Sequence, residues 1–376
     1  MSLLSSKSIS NLRTPSFIVD LNIVRSNARM MLKKTQDWGI RLRPHVKTHK
    51  TTELARIQYD PSFGGITVST IAEAKYFAEA GFDDITYAFP LGLDKIADAW
   101  ALAESINFGV LVDHLDTLMA VINYAAPSSV TLGVWIKIDS GYHRSGIQVD
   151  DPNIINLAKI INNEPKLKFL GILTHAGQSY LDVEKAKLQS IAFSEAESLR
   201  YVSKKLHDNG IDCPGLSLGS TPIASLEHDS TIYNGITEMR PGNYLFYDRY
   251  MADSGHCRID DIACFVASRI VGLYPERNCI LIDAGALAMS KDLGPSHLPH
   301  FKGGYGLIRD YPDLYFDRIS QEHGLIRCTS RMERFKIGQI LEIIPNHSCL
   351  TAAQFSHYHL VEEGEIVHVI KPVRGW

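Results

Sequence analysis

Eight short strand-like runs alternate with amphipathic helical stretches through about 200 residues of this 376-residue chain, and no other feature constrains its fold as strongly. The stretches between the runs, such as IAEAKYFAEAGF, have the spacing of helices that stop at a glycine. A strand followed by a helix, repeated eight times, predicts an α/β fold, a parallel (β/α)8 TIM barrel. A doubly wound open sheet is the main alternative. The runs are RLRPHVKT (41–48), GITVST (65–70), DITYAF (84–89), FGVLVD (108–113), TLGVWIKID (131–139), KFLGILTHAG (168–177), GLSLGST (215–221) and ITEMRPG (236–242).

A different texture begins after residue 250, where β-branched and aromatic runs are broken by turns, as in NCILIDAG and QILEIIPNHSCL. This pattern predicts a second, mostly antiparallel β-domain. The strand-like run PSFIVD (15–20) precedes the first predicted helix and could pair with that domain. We therefore expect a barrel over 14–250 and a β-domain over 251–376 that also takes in the N-terminal strand near 1–20.

The composition excludes several classes of partner. There are 38 Lys and Arg against 42 Asp and Glu, a net charge of −4, so the chain has no basic footprint for nucleic acid. It has no apolar run of about 18 residues, the length of a membrane-spanning helix, and its first residues lack the apolar core of a secretory signal. Its six cysteines are scattered through the chain, unlike a disulfide scaffold. These features predict a cytoplasmic protein that acts on a small molecule and contacts neither nucleic acid nor a membrane.

The first run gathers cations where a barrel strand should be apolar. Catalytic groups in such barrels lie at the C-terminal ends of the strands, which is the place predicted for Lys47. Cationic neighbours and a partly dry site both disfavour an ammonium ion, so we expect the pKa of Lys47 to be depressed and its amine to be nucleophilic. The alternative is a solvated basic loop. Strand alternation would place four side chains on one face toward the barrel mouth: Arg43, His45, Lys47 and His49.

Two glycine-containing motifs end the seventh and eighth runs. LGSTP (218–222) and RPGNY (240–244) offer backbone amides and hydroxyls in loops that glycine keeps free of bulk. Barrels of this kind commonly bind a phosphate at these two loops. A phosphate-bearing cofactor that faces a nucleophilic lysine fits pyridoxal phosphate.

Two more motifs end the fifth and sixth runs. An arginine or histidine at either place could contact a cofactor ring, and each could equally be a satisfied surface or core group. KIDSGYHRSG (137–146) contains Asp139, His143 and Arg144, and THAGQSY (174–180) contains His175, Gln178 and Tyr180.

A candidate metal pair lies in PNHSCL, where His347 and Cys349 are two residues apart. Imidazole and thiolate form a zinc-type donor pair. Two protein ligands leave positions open for water or substrate, as a catalytic zinc site requires. The alternative is a buried cysteine beside an unrelated histidine.

In this order, and across nearly the whole chain, RPHVKTHK, KIDSGYHRSG, THAGQSY, LGSTP, RPGNYLFYD, QEHG and IIPNHSC resemble the D-serine dehydratases of eukaryotic type. These belong with the metal-dependent D-threonine aldolases to the alanine-racemase-like, fold-type III group of pyridoxal-phosphate enzymes. The resemblance implies a barrel with a β-domain, a homodimer, a cofactor attached to Lys47, and zinc on His347 and Cys349. It also implies ring neighbours at Arg144 and His175, and further cofactor or phosphate contacts at Gln178, Tyr180, Ser220, Thr221, Gly242, Asn243 and Tyr244.

The reaction that this resemblance implies is β-elimination of a D-amino acid, D-serine, to pyruvate and ammonia. Lys47 would take the α-proton, and zinc would stabilise the departing β-hydroxyl. The related aldolases carry an aspartate where this chain has Cys349, and thiolate is a ligand that suits zinc. A metal-dependent D-threonine aldolase is the second hypothesis. An amino-acid racemase and a non-catalytic pyridoxal-phosphate carrier follow it.

Overall fold

The computed structural model describes Leu4 and residues 12–227, 229–299, 301–329 and 331–376. Of the stretch 1–20 that we assigned to the β-domain, residues 1–3 and 5–11 therefore lie outside the described residues. The helices are α1 (Leu21–Asp37), α2 (Thr52–Gln58), α3 (Ile71–Glu79), α4 (Ile96–Ala103), α5 (Leu115–Asn123), α6 (Asn153–Asn163), α7 (Lys185–Asp208), α8 (Thr221–Ser225), α9 (Arg249–Asp253), α10 (Ala286–Met289) and α11 (Ser348–Ala353). No helix in this part of the chain is long and apolar enough to cross a membrane.

The strands fall into two sheets. They are β1 (Ser16–Asp20), β2 (Arg41–Leu42), β3 (Ile66–Val68), β4 (Asp84–Pro90), β5 (Asn107–Val112), β6 (Leu132–Asp139), β7 (Ile147–Gln148), β8 (Leu167–Leu173), β9 (Leu216–Leu218), β10 (Glu238–Met239), β11 (Cys264–Tyr274), β12 (Cys279–Ile282), β13 (Leu307–Ile308), β14 (Tyr315–Ile319), β15 (Gly324–Arg327), β16 (Ile340–Ile344), β17 (Tyr358–Glu362) and β18 (Glu365–Ile370).

The first sheet is the predicted barrel. Its parallel strands run in the order β2-β10-β9-β8-β6-β5-β4-β3, with β7 beside β6. The two ends of this order meet, because His45 forms a parallel bridge with Thr67 and the Thr67 N–H donates to the Pro44 carbonyl at 2.9 Å. All eight predicted strands are present, so the predicted fold is confirmed.

The first strand is shorter than predicted. The sequence predicted a strand over 41–48, but β2 ends at Leu42 and Val46–Thr48 form a 3-10 turn. Backbone hydrogen bonding continues past Pro44 as far as the His45 N–H, which donates to the Pro241 carbonyl at 2.9 Å. The His45 side chain then accepts a hydrogen bond from the Lys47 N–H at 3.4 Å, which starts the turn.

The second sheet is mostly antiparallel. Its order is β14-β15-β12-β11-β1-β17-β18, with β16 also paired to β11 and β13 paired to β16. The N-terminal strand β1 lies antiparallel to β11 and parallel to β17. Ile18, Phe265 and Val361 pack together in its core.

The chain divides into two compact units, which we call the barrel unit and the β unit. The barrel unit is Arg29–Gly242 with Val373–Trp376, and the β unit is Asn243–Pro372 with the described residues up to Ala28. The division after Gly242 differs from the boundary that we expected at residue 250. It divides the RPGNY motif, so that Asn243 and Tyr244 belong to the β unit.

Candidate active site

Lys47 lies on the 3-10 turn that follows the first barrel strand, and its side chain is exposed. The backbone before it is fixed, because the His45 N–H donates to the Pro241 carbonyl at 2.9 Å. An accessible amine is thus carried on a well-held turn. The expected depression of the pKa of Lys47 stays a prediction.

The prediction of a single cationic face is wrong for Arg43 and His49. Arg43 is buried and pairs with Glu238 at 2.8 Å and Asp84 at 2.7 Å, the first residues of β10 and β4. Burial opposes its charge, but these carboxylates raise the pKa of Arg43 above its ordinary value. His49 is fully buried, and its Nε2 lies 2.9 Å from the side-chain nitrogen of Gln58. For His49 the cause is the turn after Pro44, since strand alternation no longer applies there. Arg43 lies before that turn, and its guanidinium pairs with the carboxylates at the starts of β10 and β4.

Two imidazoles accompany Lys47. The His45 Nε2 lies 3.3 Å from the Ser69 hydroxyl, and the Nδ1 of His175 is 3.2 Å from the Gly219 carbonyl, to which it donates. Burial, followed by the positive charge of Lys47, holds the pKa of both histidines well below the ordinary value. Both rings are therefore neutral at pH 7. His45 and His175 thus both lie within the electrostatic influence of Lys47.

The loop after β6 carries Arg144, whose exposed guanidinium lies 5.3 Å from the centroid of the Tyr142 ring. The charge of Arg144 is a further cause of the lowered pKa of His175. Asp139 supports this loop, since it accepts hydrogen bonds from the N–H of His143 at 3.0 Å and from its ring at 2.8 Å. Asp139 therefore shapes the loop that presents Arg144.

Gln178 and Tyr180 follow His175 on a 3-10 turn over Gly177–Leu181. The ring centroids of Tyr180 and His175 are 6.4 Å apart. The side-chain nitrogen of Gln178 donates to the Ser140 carbonyl at 3.3 Å, while its Oε1 is buried with no hydrogen-bond partner among the described residues. Tyr180 thus lies beside His175, and Gln178 links this turn to the loop after β6.

The turn at Ser220 and Thr221 has the features of a phosphate site. Thr221 is buried, and within the described ranges its hydroxyl has no hydrogen-bond partner, whereas the Ser220 hydroxyl lies 2.8 Å from that of Ser179. A buried hydroxyl without a partner costs stability unless a ligand completes it. Ser220 and Thr221 therefore fit a bound phosphate group. Gly242 packs tightly against the first barrel loop, since a Cβ there would lie 2.6 Å from the His45 carbonyl oxygen, and its phosphate contact stays a prediction.

Asn243 and Tyr244 are buried in the β unit. The side-chain nitrogen of Asn243 donates to Asp248 at 2.8 Å and to the Ser348 hydroxyl at 3.0 Å. Burial raises the pKa of the Tyr244 phenol, whose hydroxyl has no hydrogen-bond partner in the part of the chain that the structure describes. Their cofactor contacts stay predictions from the RPGNY motif.

The predicted metal pair stands at the start of α11, with His347 as its cap and Cys349 as its second residue. The His347 Nδ1 lies 3.3 Å from Asp292, and the Asn243 nitrogen lies 3.8 Å from the Cys349 sulfur. Burial opposes protonation of the ring, but hydrogen bonds to Asp292 and Cys349 raise the pKa of His347 well above its ordinary value. The described residues contain no cluster of three or more metal-ligating side chains. The donors fit a zinc ion held by two protein ligands.

Three buried charged residues of the barrel unit were missed by the sequence reasoning. Burial and the charge of Arg240 lower the pKa of Lys137 to about 7, and burial lowers the pKa of Arg240 to about 10. Glu195 is fully buried on α7. Lys137 and Arg240 lie inside two motifs that had already been recognised, KIDSGYHRSG and RPGNY. Glu195 could have been found from the sequence, because it is a carboxylate on the otherwise apolar face of the helix α7.

Comparison with known proteins assigns the family. A model of the alanine racemase N-terminal domain matches residues 19–249, and a putative serine dehydratase domain matches residues 263–361. The D-serine dehydratase of Dictyostelium discoideum is 36% identical over 389 residues, which cover 98% of each chain. The chain belongs to the D-serine dehydratase family. This family consists of lyases with the fold-type III architecture of pyridoxal-phosphate enzymes, so the resemblance seen in the sequence motifs is confirmed.

Other relatives place the D-serine dehydratase family among neighbouring activities. The D-threo-3-hydroxyaspartate dehydratase of Delftia sp. is 34% identical over 379 residues, 97% of this chain and 98% of that one. Its solved structure has a TM-score of 0.92 over 98% of this chain and 100% of that chain. The D-threonine aldolase of Arthrobacter sp. is 26% identical over 340 residues, 89% of this chain and 85% of that one.

Proposed function

We propose that the chain catalyses β-elimination of D-serine to pyruvate and ammonia, with pyridoxal phosphate and zinc as cofactors. The observation that carries this proposal is the exposed amine of Lys47 on a fixed turn beside two neutral imidazoles. This arrangement suits an amine that attaches a carbonyl cofactor and later accepts a proton. The 36% sequence identity with the D-serine dehydratase of D. discoideum supports the choice of substrate.

The barrel unit offers groups for each part of the cofactor. Pyridoxal phosphate, when bound, withdraws electrons from the substrate Cα and makes its proton acidic. Lys47 would hold the cofactor covalently between turnovers, and its amine would accept that proton. Because the pKa of His45 and that of His175 are lowered, both rings are weak bases, which favours the amine as the base near pH 7. Arg144, His175, Gln178 and Tyr180 would orient the ring, and Ser220, Thr221 and Gly242 would bind the phosphate.

His347 and Cys349 would hold the zinc ion, which supplies Lewis-acid stabilisation to a departing hydroxyl. Asp292 occupies the Nδ1 side of His347 and so leaves Nε2 as the metal-binding nitrogen. A carboxylate behind a zinc-binding histidine is a common arrangement that fixes the ring. A mutant of the related Delftia enzyme has been solved in a metal-free form, which supports a metal in that protein.

The test is a pyruvate assay with D-serine, with and without a zinc chelator. Lys47→Ala should lower the rate by about 1000-fold or more, since attachment and proton transfer are both lost. Chelation should abolish the rate of the wild type, and added zinc should restore it. Lys50→Arg is the matched control, because Lys50 pairs with Glu73 at 2.8 Å and an arginine keeps that pair. Pyruvate formation that is unaffected by Lys47→Ala and by chelation would sink the proposal.

The alternatives predict other products. The 34% identity with the Delftia enzyme favours D-threo-3-hydroxyaspartate as a second substrate for the same elimination. If the main products are glycine and acetaldehyde formed from D-threonine, the protein is an aldolase and not a dehydratase. Conversion of D-serine to L-serine that survives chelation would show that the protein is a racemase. Bound pyridoxal phosphate without turnover of any of these substrates would show that the protein is a non-catalytic carrier.

We also propose a homodimer, as the family resemblance implies. Light scattering on the purified protein should give twice the mass of one chain. The mass of a single chain at micromolar concentration would contradict this proposal.

A further inference from the structure

Glu195 lies where a helix facing a barrel should be apolar. It is fully buried on α7, among Leu188, Ala192, Leu199 and Val202 on the buried face of that helix. Burying a carboxyl group costs free energy unless hydrogen bonds compensate. A charged residue that breaks the pattern of an apolar face indicates a specific task.

The Glu195 carboxylate reaches two loops of the barrel. Its Oε1 accepts hydrogen bonds from the Ala176 N–H at 2.8 Å and from the Gly219 N–H at 3.4 Å. The last rung between β8 and β9 is the bond from the Thr174 N–H to the Ser217 carbonyl at 2.9 Å. Beyond this hydrogen bond the two strands no longer pair. Glu195 therefore accepts from the Ala176 and Gly219 N–H groups, which have no acceptor among the described residues of the sheet.

These hydrogen bonds form a closed ring that includes a candidate cofactor residue. His175 donates from Nδ1 to the Gly219 carbonyl at 3.2 Å, while Glu195 holds the N–H of Gly219 and the N–H of the residue after His175. The loop that begins at Gly219 continues directly into Ser220 and Thr221. One carboxylate thus fixes the imidazole and the phosphate turn relative to each other.

We infer that Glu195 is a positioning residue that sets the affinity for pyridoxal phosphate by holding the His175 loop and the Ser220–Thr221 turn in one arrangement. This inference rests on the proposed function for the identity of the cofactor. Only a hydrogen-bond acceptor is needed, because Oε1 accepts whether the carboxyl is ionised or protonated. Ser179 gives partial support, since its hydroxyl donates to the Ala176 carbonyl at 2.7 Å and contacts Ser220.

The experiment measures binding of pyridoxal phosphate to the apoprotein, by titration followed through the visible absorbance of the bound cofactor. Glu195→Ala should weaken binding by about 10-fold or more, because two backbone donors lose their acceptor. Glu195→Gln keeps the acceptor and should stay within about 3-fold of wild type. Glu195→Asp withdraws the acceptor by one methylene and should weaken binding even if the alanine variant does not fold.

The matched control is Glu342, another buried glutamate, which belongs to the β unit and pairs with Arg309 at 3.3 Å. Glu342→Gln should lower the thermal stability of the apoprotein and leave cofactor affinity unchanged. A double-mutant cycle with His175→Ala separates positioning from general stability. Because Glu195 acts in part through His175, the two losses should combine to clearly less than their product.

Equal affinity in Glu195→Ala and wild type, equal losses in the alanine and glutamine variants, or fully multiplicative losses in the cycle would each overturn the inference. Failure of the proposed function gives a different result. In that case the wild type itself would not bind pyridoxal phosphate, or would bind it without turning over D-serine.

Discussion

The buried hydroxyl of Thr221 gives the phosphate turn a testable signature at the scale of one residue. Without a ligand this hydroxyl destabilises the fold by about 1–3 kcal/mol. Thr221→Val should therefore make the apoprotein as stable as wild type or more stable, and yet weaken pyridoxal phosphate binding by about 10-fold. Urea denaturation of the apoprotein and cofactor titration measure the two effects.

Thr221→Ser is the control for this prediction, because it keeps the hydroxyl and loses only a methyl group. It should bind pyridoxal phosphate within a few-fold of wild type. A valine variant that binds the cofactor as tightly as wild type would show that the hydroxyl does not contact the phosphate.

Sequence reasoning singled out individual residues where a motif and a local rule agreed, and their roles stay predictions. Lys47 was singled out because cations conflicted with a barrel interior, and His175 because it ends a strand. His49 was misplaced, since its partner Gln58 lies on a helix that the strand pattern did not reveal. Glu195 was missed because its role depends on two loops that meet only in the folded chain.

At the scale of elements, the short helix α11 depends on one carboxylate. Asp248 accepts hydrogen bonds from the N–H of Ser348 at 3.0 Å and from its hydroxyl at 3.2 Å. Ser348 stands between His347 and Cys349, so its anchoring fixes the spacing of the candidate metal ligands. Asp248 therefore prepares the metal pair without being one of its ligands.

Asp248→Asn should weaken zinc binding by about 10-fold to 100-fold, the range seen when groups behind metal ligands are changed. Competition with a chromogenic chelator measures this affinity in the absence of substrate. Asp116→Asn, at an exposed position on α5, should bind zinc as wild type does. Equal zinc affinity in all three proteins would contradict the prediction.

Element prediction succeeded where apolar runs were long, and it overestimated the first strand. All eight barrel strands coincide with predicted runs, because burial on both faces of a parallel sheet demands continuous apolar stretches. The first run was given too many residues, because the His45 side chain bonds to the Lys47 N–H and starts a 3-10 turn that the strand pattern does not reveal.

At the scale of the whole molecule, buried neutral histidines make stability dependent on pH. Burial lowers the pKa of His49 to about 3 and that of His256 to about 4. The unfolded chain takes up protons on these rings below about pH 6.5, while the folded protein does not. Their stabilising effect is thus complete above about pH 6.5 and is lost as the pH falls toward the folded pKa values.

We expect the free energy of unfolding to fall by about 1.4 kcal/mol per pH unit for each such histidine below about pH 6. Urea denaturation of the apoprotein at pH 7, 6 and 5 measures this slope. His49→Gln should reduce the slope by about one proton, whereas His114→Gln, at an exposed site, should leave it unchanged. Identical slopes in the three proteins would refute the assignment.

The division of the chain shows where local patterns stop being informative. A strand near the N-terminus was expected to pair with distant β-strands, and β1 does lie between β11 and β17. The boundary after Gly242 could not be predicted in the same way, because it divides RPGNY, which the sequence presents as one continuous motif. Compactness depends on contacts between distant segments, which no local window contains.

The barrel closes at the seam between Pro44 and Thr67, one step from the turn that carries Lys47. The same few residues complete the sheet and deliver the amine, so selection cannot adjust one without the other. A substitution that relaxes the seam would also move the lysine, and a lineage exploring new substrates has little freedom there. We therefore expect divergence of specificity to arise in loops on other strands.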